Sequence, residues 1–363
     1  MVPGQGRVTA VLAGALRDPA VSPDWSGADV SALIDTARRH RVDLLLGWML
    51  RAAGALDDWP KAFVDDFQRV ERQALYVDCV RHAELASVLR TLDGVGVRAL
   101  LFKGAALAYT HYPAPHVRPR ADTDLLVPAE ELHALEAVIG RLGYVRPAET
   151  AGDLVSYQSH YQKTDRHGVT HALDVHWKIS NFQALANRFT HGELWDRRVG
   201  VDGLGPAAAA VDATHALLLA LVHRAGHHPG STNLLWLYDF HLLNRSLTAA
   251  QMRQVHDVAD ARGLTDIAAE GLTLASHWFG DTSGDPAPAV QQPWTQAQVL
   301  HLDLRALPDW PTRVRLIREH VLPSANYMRA KYGVRSNAML PALYVWRVVH
   351  GLPKWLRRPT ADD

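Results

Sequence analysis

The chain has 363 residues, 48% apolar and 21% charged, with 38 Lys plus Arg against 38 Asp plus Glu. That length supports a large core in two or three packed lobes, and the composition excludes a disordered chain. Zero net charge excludes a global basic field for DNA or an anionic membrane, so a nucleotide site must be local.

The first hundred residues read as helical. A mostly apolar run at 8–16 follows Arg7 but is short, and Arg17-Asp18 stands where a cleavage site would be; it is expected to be a helix of the mature protein. Residues 31–40 and 42–52 are two short amphipathic stretches. Residues 61–92 form a longer one, in which Phe63, Phe67, Val70, Ala74 and Val77 step by three and four. Cys79, the single cysteine, lies in that helix. It rules out an intrachain disulfide, fits a reducing compartment, and is expected to be a core thiol.

The pattern changes at Gly94 and Gly96. Residues 97–102 read as a buried strand, 104–112 as a short helix stopped by Pro113 and Pro115, and 122–127 as a second strand. A helix opens at Pro128 and runs to about Leu142. Two further strands, 154–163 and 169–179, are joined by the turn Asp165-Arg166-His167-Gly168. After Pro206 helices return at 212–225, 234–243, 249–262 and 264–278. Residues 281–293 read as a surface loop, and 311–320 and 340–350 as helices. The basic end, Lys354 to Arg358, reads as a solvated tail. The expected fold is α+β: a helical region 1–94, a small mixed-sheet core 95–205 and a helical region 206–363. No window reaches the roughly 18 apolar residues of a membrane span, and a cytoplasmic protein is expected.

The chemistry concentrates at Ala121-Asp122-Thr123-Asp124-Leu125-Leu126-Val127. In a strand, Asp122 and Asp124 share one face while Thr123, Leu125 and Val127 take the other. Neighbouring carboxylates repel unless a cation lies between them, and a hard divalent ion supplies that cation. Asp174, in Leu173-Asp174-Val175-His176-Trp177, is a third acid in mid-strand, with His176 on its face. Upstream, Leu101-Phe102-Lys103-Gly104-Ala105 runs a strand into a helix start, which offers backbone N–H groups to an anion. Lys103, Arg118 and Arg120 add positive charge near it. His223 and His227 stand four apart on a helix without the Glu of a zinc motif; they either line a substrate cleft or pack in the core, and Asp239 either faces the acceptor or pairs with a helix-end partner.

The set Lys103-Gly104, Asp122-x-Asp124 and Asp174 resembles the nucleotidyltransferase superfamily of the polymerase beta type. More specifically it is similar to the bacterial family described as uncharacterised nucleotidyltransferases, members of which occur in peptide and polysaccharide biosynthesis neighbourhoods. The matching segments are Phe102 to Leu107, Tyr112-Pro113, Val117-Arg118-Pro119, Asp122 to Val127 and Leu173 to Lys178. Further likeness lies at His223, His227 and Leu235 to Asp239, and at Leu322-Pro323-Ser324 with Tyr327-Met328-Arg329 and Tyr332, so it covers about residues 95–347. One departure is Ala105, where the superfamily turn often carries Ser or Gly; a hydroxyl contact to phosphate is lost and a backbone contact is kept.

The resemblance implies transfer of a nucleoside monophosphate, AMP from ATP, to a small-molecule or peptide acceptor, with release of pyrophosphate. It implies Mg2+ held by Asp122, Asp124 and Asp174. Phosphate would be held by Lys103, Gly104, Ala105, Arg118 and Arg120, and the acceptor would face His176, His223, His227 and Asp239. Asp174 is also a candidate base. A glycosyltransferase would need a strand-rich region before its Asp-x-Asp, and here that region is helical. A catalytically silent scaffold with the same fold is the alternative.

Overall fold

Side-chain alternation along a few short segments decides the centre of the fold. The computed structural model describes residues 5–21, 23, 29–146, 152–280, 294–334 and 336–356. Within them a six-stranded mixed sheet has the order β3-β4-β2-β1-β6-β5. Its strands are β1 (Leu100–Leu101), β2 (Thr123–Leu126), β3 (Gln158–Thr164), β4 (Thr170–His176), β5 (Val199–Gly200) and β6 (Ala209–Ala210). β2 runs parallel to β4, with Asp124 opposite Asp174 and Leu126 opposite His176. β3 and β4 form the expected hairpin, whose turn is held by Asp165 and by Gly168 at φ +74°.

Helices flank the sheet in sequence and in space. The N-terminal set is α1 (Gln5–Arg17), α2 (Val30–Arg39), α3 (Asp43–Ala52) and the 33-residue α4 (Lys61–Asp93). Between the strands lie α5 (Lys103–Thr110), α6 (Leu132–Arg141), α7 (Gln183–Ala186) and α8 (His191–Asp196). The C-terminal set is α9 (Ala213–His227), α10 (Leu234–Ser246), α11 (Ala249–Ala261), α12 (Thr265–Phe279), α13 (Gln296–Ala306), α14 (Trp310–Val321), α15 (Ala325–Tyr332) and α16 (Leu340–Leu356). The α+β architecture with helical flanks is therefore as the sequence predicts.

The two sheet faces feed two separate cores. Leu101, Leu125, Val127, Leu173 and Val175 point to one side and pack with the end of α4 and with α6. Leu100, Phe102 and Leu126 point to the other, where they join α1, α3, α9, α10 and α12 in one cluster. Leu125 and Val175 are wholly buried, each contributing roughly 1.5–3 kcal/mol of transfer free energy. The period-two rule thus separates the acids from Leu125 and Val127, and it aims Asp124 and Asp174 at the side where the N- and C-terminal helices meet.

Three expectations need correction or a boundary. Cys79 is exposed, because the middle of α4 runs past the α3 contact before it reaches the sheet and keeps one face in water. Helix α15 and the short β5–β6 pair were not apparent in the sequence, since two-residue strands and an eight-residue helix carry too few repeats of any period; the 11-residue α13 was not apparent either. The loop expected at 281–293 and the final Arg357-Arg358 lie outside the described residues.

Candidate functional site

The parallel pairing of β2 and β4 sets two carboxylates side by side. Like charges directly opposite are destabilising unless something compensates them. In this protein the compensation comes from side chains. Lys103 Nζ donates to Asp124 Oδ1 at 2.8 Å, and His176 Nε2 lies 3.0 Å from the same oxygen. His160 Nδ1 lies 2.6 Å from Asp174 Oδ1. Burial by itself raises the Asp124 pKa, but the Lys103 ammonium and the His176 hydrogen bond outweigh it and hold the carboxyl well below the usual range. Burial and the Lys103 charge lower His176, which favours the neutral imidazole.

Asp124, Asp174 and His176 offer ligand atoms that all lie within 4.8 Å of one another. Two carboxylate oxygens and an imidazole nitrogen are a donor set that suits a hard or borderline divalent ion. Asp122 stands one residue before β2, half-buried, outside that close trio but on the same cavity. Burial raises its pKa first, and the charges of Asp124 and Asp174 add to this. An acid so placed gains from any further positive charge.

The strand-to-helix turn differs in detail from the expected one. Helix α5 opens at Lys103, whose φ is +52°, rather than at Gly104. That left-handed backbone costs a non-glycine residue roughly 1–2 kcal/mol. Gly104 has a steric reason instead: a β-carbon there would fall 3.1 Å from Arg118 Cζ and closer still to Nη1. Arg118 cannot easily retreat. Its Nε and Nη2 donate to the two oxygens of Asp239 at 2.9 and 2.6 Å, and Tyr112 donates to Asp239 at 2.7 Å. All three groups are buried. Arg120 is also engaged, donating to Asp78 at 2.6 Å and to the Pro115 carbonyl at 2.9 Å.

A cavity of about 390 Å3 lies over the acids, walled by α5, α9 and α10. Ten of the twelve residues singled out in the sequence line it; Ala105 and His176 do not. Ala105 is wholly buried in the core, and His176 sits beneath Asp124. His223 and His227 stack at 5.0 Å, and His223 Nδ1 is buried with no hydrogen-bond partner. Burial lowers His223 well below its ordinary value, and burial with the nearby Lys103 brings His227 to about 4. Both rings are therefore neutral near pH 7. His228 packs on Trp236 at 4.2 Å and adds an aromatic patch to the same wall.

Arg41, on the cavity, and His160, beside Asp174, escaped the sequence. Arg41 reaches the cavity from the α2–α3 turn, donating to the Pro119 carbonyl at 2.9 Å. Its φ of +57° makes it, with Lys103, one of two non-glycine residues at positive φ among the described residues. Both are cations on this cavity, and backbone strain of this kind clusters at functional sites. Nothing local in the sequence marks Arg41. His160, the partner of Asp174, is missed by one position. A four-residue turn at 165–168 would set His160 opposite Leu173, whereas in the structure five residues, 165–169, separate the paired Thr164 and Thr170, and counting back along both strands sets His160 opposite Asp174.

The arrangement can bind a cation at the acids and an anion at the cationic turn, a few ångströms apart. Comparison with known proteins gives this a family. The family described as "Uncharacterised nucleotidyltransferase" matches residues 26–280 of the chain. No curated protein matches it. The matched span takes in the acids, the turn, the cavity wall and Arg41, and it ends before α13.

Proposed function

The chain belongs to the uncharacterised nucleotidyltransferase family, and on that premise we propose that it transfers AMP from ATP to a small-molecule or peptide acceptor. The observation that carries this reading is the in-register pair Asp124–Asp174 with Lys103 bonded to Asp124 at the mouth of one cavity. The carboxylate oxygens of Asp124 and Asp174, with Asp122 on the same cavity, are hard donors that fit magnesium. Magnesium, when bound, supplies the charge that joins carboxylates to phosphate oxygens and stabilises the charge developing in transfer.

The chain's own groups then have distinct tasks. Lys103 serves as the counter-charge of Asp124 in the free protein and turns to the leaving phosphates when ATP enters. The first N–H groups of α5 face the same phosphates. Arg41 and the Nη1 edge of Arg118 supply further positive charge, while Arg120 fixes the loop through Asp78. Asp174, oriented by His160, accepts the proton of the acceptor hydroxyl. The neutral stack of His223 and His227, with Trp236 and Asp239, forms a cleft wall that orients the acceptor. A cytoplasmic role in biosynthesis fits these substrates.

The test is incubation with each labelled nucleoside triphosphate and cell extract, followed by mass analysis of what gains a nucleotide. A gain of AMP by one component, lost in Asp124→Asn, supports the proposal; no magnesium-dependent gain from any nucleotide rejects it. A second reading, a silent scaffold on this fold, is favoured by the Lys103–Asp124 ion pair, which neutralises one acid without a metal. Calorimetric titration with ATP and magnesium separates the two, since a scaffold that keeps Lys103 on Asp124 takes up neither.

A further inference from the structure

The matched family ends at residue 280, and the helices beyond it carry a surface that the nucleotide site does not use. Ten of the sixteen exposed large apolar side chains among the described residues lie between 310 and 349. On α14 they fall at 310, 314, 317 and 321, steps of four, three and four that line one helix face. Trp310 is 72% exposed and Val314 58%. The opposite side of α14 is anchored by the buried Leu316, so the stripe is not the face that holds the helix to the protein. On α16, Val345 (65%), Trp346 (54%) and Val349 form a second exposed face. The two helices meet at a groove of about 490 Å3 lined by Val321, Trp346 and Val348.

The charge on this surface is one-sided. Residues 310–356 hold eight Lys or Arg and one acid, Glu319, in a chain whose net charge is zero. At 100° per residue, Arg313 and Arg318 flank the α14 stripe on its two sides. Arg313 lies over the Trp310 ring at 5.5 Å. Arg313, Arg318, Lys331 and Arg347 form no ion pair with any described residue. Apolar stripes with interfacial tryptophans and flanking arginines suit a headgroup boundary, where the rings enter and the guanidinium groups stay at phosphate level. A second copy of this chain would set the excess positive charge against itself.

We propose that the α14–α16 face docks on the surface of an anionic lipid bilayer, without crossing it, and holds the nucleotide site at that surface. No described helix is long and apolar enough to span a membrane. The inference does not depend on the reaction proposed above.

The experiment is flotation of the full chain with vesicles of phosphatidylglycerol and phosphatidylcholine, and with phosphatidylcholine alone. The wild type is expected to float with the anionic vesicles, less so as salt rises, and to stay behind with the neutral ones. Val314→Asp with Ile317→Asp, and separately Arg318→Glu with Arg347→Glu, should each weaken partitioning by about tenfold or more. Val314, Ile317 and Arg318 are exposed and Arg347 lies half-buried over the Tyr327 ring; circular dichroism is expected to show an unchanged fold for both pairs. Failure of the wild type to float overturns the proposal, as does flotation that neither double variant weakens. It is also overturned if light scattering shows a dimer that the same variants dissociate, or if the face captures a soluble acidic peptide and no vesicle.

Discussion

Replacing Gly104 with Ala tests the packing beneath the cationic turn. Gly104 lies inside α5 and is not at positive φ, so alanine suits its backbone and by helix propensity alone should stabilise by about 1 kcal/mol. The structure predicts the opposite sign. The added β-carbon would overlap the Arg118 guanidinium, which is pinned by bonds of 2.9 and 2.6 Å to Asp239. Relief requires a retreat of about 1 Å, which carries those bonds beyond ordinary hydrogen-bond length. Loosening a buried, charge-assisted pair costs roughly 3–5 kcal/mol, so the net loss should be about 2–4 kcal/mol. Urea denaturation followed by circular dichroism measures this directly. The control is the same change in Arg118→Leu, which is itself destabilised but has no guanidinium to strike. There Gly104→Ala should be neutral or mildly stabilising. A wild-type midpoint for Gly104→Ala, or an equal loss in both backgrounds, would refute the reasoning.

Other expectations follow from the acids and the histidines. Asp122→Asn removes a half-buried charge that is raised by its neighbours, so it should hold or raise the melting temperature while weakening magnesium-dependent ATP binding at least about tenfold. Lys103→Ala leaves Asp124 without its ammonium partner; differential scanning calorimetry should show a loss without metal and a larger gain on adding magnesium than in the wild type. His227 titrates at about 4 in the folded chain against an ordinary 6.5, so the unfolded state takes up the proton first as pH falls. Its contribution is complete above pH 6.5 and declines towards pH 4, reaching a loss of about 2 kcal/mol by pH 5. His227→Gln should flatten that part of the stability–pH profile, and an unchanged slope would show that other groups govern it.

The parts legible in the sequence are those governed by local rules. Strand alternation separates Asp124 from Leu125, and hairpin chemistry at Asp165 to Gly168 gives the β3–β4 pair. The apolar steps from Phe63 to Val77 fit the long α4. What was not legible depends on partners far along the chain. Arg118 meets Asp239 across 121 residues, and Arg120 meets Asp78 across 42. Read locally, both arginines look free to grip phosphate; in the structure their forks are largely engaged. Cys79 fails for a related reason: helical spacing says which residues share a face, and tertiary packing decides which stretch of that face is covered. Arg41 is the extreme case, since its place on the cavity follows from an uncommon backbone conformation that no residue preference announces.

In the proposed function Asp124 and Asp174 act together as a divalent-metal site that brings a nucleotide to the cavity. Electron paramagnetic resonance of manganese, a stand-in for magnesium, measures this directly in the presence and absence of ATP. The wild type should bind manganese more tightly with ATP than without it, and Asp124→Asn and Asp174→Asn should each abolish that coupling while the fold persists. Manganese binding that is indifferent to ATP, or coupling that survives both substitutions, would contradict it.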